Sequence, residues 1–87
     1  MPKVLIPPLW QELTGGLPSV EVRGATVRQA IDNLEKAWPG IRDRVLDGDR
    51  LRPNVRVAVN DRMAAQGLRQ RVSPSSEIHF IAAISGG

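Results

Sequence analysis

Hydrophobic positions along this chain follow two periods, one of two residues and one near 3.6. Lys3-Val4-Leu5-Ile6 is a short apolar run closed by Pro7-Pro8, which cannot continue a paired ladder, and it predicts a strand. Leu9-Trp10-Gln11-Glu12-Leu13 leads into Thr14-Gly15-Gly16, a turn with dihedral freedom at both glycines. In Ser19-Val20-Glu21-Val22 the two valines share one face and Glu21 takes the other, which predicts a second strand. Two strands around a connection of about a dozen residues predict an antiparallel hairpin with an elaborated loop.

The period then changes. Thr26 is a good N-cap, and Gln29 three residues on completes a capping-box pattern. Val27, Ala30, Ile31, Leu34 and Trp38 recur at helical spacing and form one apolar stripe, so Trp38 is expected in the core. Arg28, Asp32, Glu35 and Lys36 take the outer face, with Asp32 and Lys36 spaced for an i,i+4 pair. Pro39-Gly40 stops the helix. Ile41 to Leu46 predicts one or two further helical turns with Ile41 and Val45 inward, and Asp47-Gly48-Asp49-Arg50 reads as a turn or loop.

Val55-Arg56-Val57-Ala58-Val59 alternates and predicts a central strand ended by the turn pair Asn60-Asp61. The segment from Met63 to Arg71, with Gly67 and a mix of Ala, Gln and Arg, reads as a loop holding at most a short edge strand. Ser73-Pro74-Ser75-Ser76 turns into the last strand, Glu77 to Ile81, with Ile78 and Phe80 on one face and Glu77 and His79 on the other. One amphipathic helix of about three turns must bury its stripe on the apolar face of a mixed sheet. The expected class is α+β, with four to five strands on one main helix. If the first and last strands run parallel at its centre, the architecture is a β-grasp. Residues 1–81 then form the domain, and residues 82–87, ending in Gly86-Gly87, a flexible tail.

Composition narrows the function classes. A chain of 87 residues without cysteine has no disulfide, no thiol nucleophile and no zinc ribbon. No run approaches the ~18 apolar residues of a membrane span, and the Pro-broken start is too short for a signal peptide, so a cytoplasmic protein is expected. Two lysines, Lys3 and Lys36, and ten arginines set against nine acids leave a net charge of +3. These charges are spread along the chain, and the aromatic residues are only Trp10, Trp38 and Phe80, with no aromatic-basic motif to stack bases. Nucleic acid is therefore not an expected partner.

Catalytic chemistry is equally sparse. His79 is the only histidine, with no second His or Cys to share a metal, and no nucleophile elbow or phosphate-binding glycine motif occurs. Asp47 with Asp49, but without the rest of a calcium-loop pattern, reads as a plain turn. Paired carboxylates such as Asp47 and Asp49, or Glu12 and Glu21, have the chemistry of an acid and a base, but no pattern supplies a cleft around them. What remains is the terminal carboxylate of Gly87. Without a Cβ, a glycine can pass a narrow channel and approach a nucleotide phosphate, and Ala83 to Gly87 extends roughly 16 Å at ~3.3 Å per residue.

Ala25-Thr26-Val27, Trp38-Pro39-Gly40-Ile41, Val57-Ala58-Val59-Asn60-Asp61 and the terminal Gly86-Gly87 occur in an order and spacing that resemble the ubiquitin-like sulfur carriers of the MoaD/ThiS family. Ile6-Pro7-Pro8-Leu9 followed by Thr14-Gly15-Gly16 resembles the CysO-type branch, whose members serve cysteine synthesis. The chain departs from the family at Ser73-Pro74-Ser75-Ser76-Glu77, where an Asp-Gly-Asp turn is usual, and at Ala82-Ala83, where a proline commonly stiffens the tail.

The resemblance implies a carrier rather than an enzyme. It implies that an ATP-dependent activating enzyme adenylates Gly87, that a thiocarboxylate follows, and that a downstream synthase accepts the sulfide. No cofactor is expected on the chain itself. Ile84, Ser85 and Gly86 are the residues by which partners would read the tail. The small subunit of molybdopterin synthase and a ubiquitin-like modifier joined to lysines are the alternatives. Docking is expected on the sheet face near the tail, with Phe80 or Ile81 partly exposed and Arg52, Arg56 and Arg62 steering acidic partners.

Overall fold

In the computed structural model, which describes residues 1–82, Lys3–Leu5 forms β1 and Ser19–Glu21 forms β2. They pair antiparallel with Val4 opposite Val20. The connection holds a 3-10 helix over Pro8–Thr14, entered at Pro7-Pro8 and ended by Gly15 at φ 65°. The chain continues through α1 (Val27–Ala37), α2 (Ile41–Val45), β3 (Leu46–Asp47) and β4 (Arg50–Leu51). It then forms β5 (Val55–Val59), β6 (Arg62–Met63), a 3-10 turn at Gly67–Arg69, and β7 (Glu77–Ala82).

Five strands build one mixed sheet in the order β2-β1-β7-β5-β6, while β3 and β4 form a separate small hairpin around Gly48. β1 and β7 run parallel at the middle of the sheet, with Val4 opposite Ile78. β5 is an interior strand but not the central one, because β7 separates it from β1. The first hairpin, the last strand and the α1 stripe therefore meet as expected from local patterns. The centre of the sheet is set by a pairing between residues more than seventy positions apart.

The capping of α1 shows how the local chemistry works. The Thr26 hydroxyl accepts from the Gln29 amide at 3.2 Å. The Gln29 side chain accepts in return from the Ala25 N–H at 2.9 Å, one residue earlier than the N-cap itself. Val27, Ala30, Ile31 and Leu34 are buried on the sheet, joined by Ile41 and Val45 of α2. Trp38 is only half-buried at the margin of this core. As C-cap its backbone leaves the helical spiral at φ −134°, which swings the ring off the stripe. The buried tryptophan is instead Trp10, from the 3-10 helix.

Asp32 does not pair with Lys36. It faces Arg28 at 3.6 Å and Arg42 at 3.8 Å, because the Pro39-Gly40 turn folds α2 back beside α1 and brings Arg42 within reach. Glu35, read as an outer-face residue, accepts from the Gly40 N–H at 3.1 Å and the Arg42 N–H at 2.9 Å. Its carboxylate thus satisfies orphan donors at the start of α2.

Gly24 lies where the chain passes α1 most tightly. A Cβ there would sit 2.7 Å from the Ala30 nitrogen and 3.0 Å from its Cα, both backbone atoms of a packed helix. Gly24→Ala is expected to lower the unfolding free energy by about 2 kcal/mol, the scale of overpacking against groups that cannot rotate away. Urea denaturation measures this, and an unchanged midpoint would show that the helix yields.

Candidate functional site at the end of the last strand

β7 carries an alternating sequence, so its two faces have separate roles. Ile78 and Phe80 point to the core, and Glu77, His79 and Ile81 point away from α1. Strand register assembles an outer surface from residues distant in sequence. Leu5 lies opposite His79, His79 opposite Ala58, and Ala58 opposite Met63, making one row across four strands. Toward the C-terminal end of β7, Ile81 lies opposite Arg56. At the other end Lys3 sits between Glu21 and Glu77.

Among these outward residues Met63 is 58% exposed and Ile81 43% exposed, whereas Ala58 is covered by its neighbours at 7%. Ile81 stands beside Arg56 at the strand end that precedes residues 83–87, and Met63, on β6 in the row of Ala58 and His79, is the other large exposed apolar side chain of this face. Ala82, expected in the tail, still belongs to β7 and lies opposite Val55. The ladder therefore holds the chain up to the residue where description ends. Gly87, Gly86, Ser85 and Ile84 lie outside the described residues.

Phe80 is not part of this surface. It is 2% exposed and stacks obliquely on Trp10, with ring centroids 5.9 Å apart at 46°. The alternation of β7 allows either Phe80 or Ile81 outward, and burial of the aromatic ring against Trp10 decides for Ile81. The three arginines expected to dock also part company. Arg56 stays beside Ile81. The Arg52 side chain donates from Nε to the Asp43 carbonyl at 2.6 Å, tying the small hairpin to α2. Arg62 lies across from Val59, and its side chain lines a hollow on the other side of β6.

Met63, Leu5 and His79 were not picked out as surface partners by the sequence. Period-2 alternation marks His79 as outward, but no local signal aligns it with Met63, since that depends on the β5–β7 and β5–β6 registers. Among the described residues no group of three or more His, Asp and Glu side chains is placed to hold a metal ion, and no helix is long and apolar enough to cross a membrane.

The family model described as the ThiS family matches residues 4–87. This chain belongs to the ThiS family. Its architecture is the ubiquitin-like β-grasp, and CysO proteins, the branch expected from Ile6-Pro7-Pro8-Leu9 followed by Thr14-Gly15-Gly16, are among its relatives. The sulfur carrier protein CysO of Mycobacterium tuberculosis is 30% identical over 89 residues, covering 97% of this chain and 96% of that protein. A chain of the Amycolatopsis orientalis BexX/CysO complex superposes with a TM-score of 0.94 at 34% identity, covering all of both chains (100% and 100%). The SAMP1 of Haloferax volcanii superposes with a TM-score of 0.76 at 29% identity, covering 99% of this chain and 98% of that one. This ThiS-family chain thus shares the whole domain with its relatives, not an isolated motif.

Proposed function

We infer that this chain is a sulfur carrier of the CysO type, a carrier rather than a catalyst. One observation carries the reading: the chain matches CysO proteins over nearly its full length, and the ThiS family model over residues 4–87. The reactive group is the Gly87 carboxylate. A partner activating enzyme joins it to the α-phosphorus of ATP with release of pyrophosphate. A sulfur donor then displaces AMP, breaking the acyl C–O bond and forming a C–S bond, and a downstream synthase accepts the sulfide. The chain supplies position: β7, paired on both sides, carries the acyl end, and the Ile81–Arg56–Met63 surface docks the activating enzyme. The proposed cycle consumes ATP, which supports a cytoplasmic location for the carrier.

Incubation with a cognate activating enzyme, ATP and a sulfide donor is expected to exchange one oxygen for one sulfur at Gly87, read by intact-mass spectrometry. Absence of that exchange with every cognate activating enzyme overturns the reading. The likeness to SAMP1, named for small archaeal modifier proteins, favours a second reading in which Gly87 is joined to lysines of other proteins. Isopeptide conjugates that vanish when Gly87 is removed distinguish it.

A further inference from the structure

β6 is two residues long and forms one edge of the sheet. Beside it lies an open hollow of about 660 Å³, bounded by Arg62, Met63 and Ala64 on the β6 side and by Gln70 to Ser73 on the other. Val59, Ala64 and Val72 supply an apolar floor. Arg62 and Arg71 both line it, both are exposed, and neither joins an ion pair among the described residues. No carboxylate belongs to the lining, and Asp61 stands outside it in the β5–β6 turn. Two arginines lining a hollow without a counter-charge in its lining give it a positive potential.

The far wall is built, not loose. The Val27 N–H donates to the Gln70 carbonyl at 3.0 Å and the Val72 N–H to the Ala25 carbonyl at 3.0 Å, stitching the segment to the start of α1. The Ser73 N–H donates to the Ser76 hydroxyl at 2.8 Å beneath it. A wall held this way loses little freedom on binding. On the near wall, the Ala64 N–H is turned inward to the Val57 carbonyl at 2.9 Å, so ladder alternation turns the Met63 N–H and C=O outward along the open edge. An open strand edge offers pairing to an extended backbone. The lining contains no aromatic ring on which a nucleic-acid base could stack.

We propose that this groove binds an extended acidic segment of a partner protein, paired along β6 with its carboxylates held by Arg62 and Arg71. The groove shares Met63 with the Ile81 surface, but Arg62, paired with Val59, lies on the opposite face of β6. The proposal is independent of the sulfur chemistry, so its failure leaves the carrier reading untouched.

Titrating ¹⁵N-labelled protein with a short peptide alternating glutamate and valine tests it. Saturable shifts are expected at the amides of Arg62, Met63, Ala64, Arg71 and Val72, weakening as salt is raised. A peptide with glutamine in place of glutamate, and the Arg62→Glu/Arg71→Glu chain, are each expected to bind at least ~10-fold more weakly. The Arg62→Gln/Arg71→Gln chain guards against a folding defect in the charge-reversed one and is expected to lose binding with an unchanged spectrum elsewhere. Shifts centred on Leu5, His79 and Ile81, an absence of saturable shifts, or equal binding of a single-stranded oligonucleotide at the same amides would each overturn the proposal.

Discussion

Phe80→Ala is expected to remove about 3–5 kcal/mol of unfolding free energy, the range for truncating a fully buried aromatic ring. A domain of this size has a total of roughly 4–13 kcal/mol at 0.05–0.15 kcal/mol per residue, so the variant stands at the edge of unfolding. The reason is local and specific. Phe80 fills the core beneath the end of β7, where its ring meets Trp10 at 5.9 Å. Losing it empties space that the 3-10 helix and the sheet share, and only partial collapse of that helix can fill it. Trp10 emission should shift to the red in the native baseline as water reaches the indole, and the urea midpoint should fall steeply. A loss of stability below about 1 kcal/mol would mean that Phe80 is not a core residue. Any loading defect in this variant reports unfolding, not docking, because Phe80 does not reach the outer face.

The second large effect is expected on the opposite face of the same strand. Ile81→Glu/Met63→Glu is expected to slow adenylation by the activating enzyme roughly 30- to 1,000-fold, the effect of charging two apolar anchors that a partner must desolvate. Stability should change by less than about 1 kcal/mol, since both side chains are largely exposed, at 43% and 58%. Pyrophosphate release at low carrier concentration measures the rate, and urea unfolding measures the stability. A rate within about twofold of the unchanged chain would remove this face from the docking surface. Phe80 and Ile81, adjacent in sequence, are thus predicted to fail in different ways, and the pair separates folding from recognition.

The sequence made much of this fold legible. The Thr26 cap, the Val27–Leu34 stripe, the alternation of β5 and β7 and the Asn60-Asp61 turn each express a local rule. At the last, both residues adopt positive φ, 52° and 67°, as a tight hairpin requires, and Asn60 also accepts from the Glu77 N–H at 2.9 Å. The candidate site was less legible. Gly87 stands out by chemistry alone, and Ile81 and Arg56 by alternation, but Met63 sits in a segment without periodicity. Arg71 carries no signal at all until the bridge to Thr26 holds it at the start of α1, where it lines the hollow beside β6.

Local residue patterns suffice for the set of elements, their caps and their inward faces. Those follow from backbone sterics and from contacts within a few residues, which the chain carries wherever it goes. Long-range packing put β7 rather than β5 at the centre and brought Asp32 to Arg42 rather than Lys36. It also turned Glu35 to cap α2, placed Trp10 rather than Trp38 in the core, and aligned Leu5, His79, Ala58 and Met63 in one row. Each of these depends on which distant segment arrives alongside. That is set by the joint burial of all the apolar faces at once, so no window of neighbouring residues contains it.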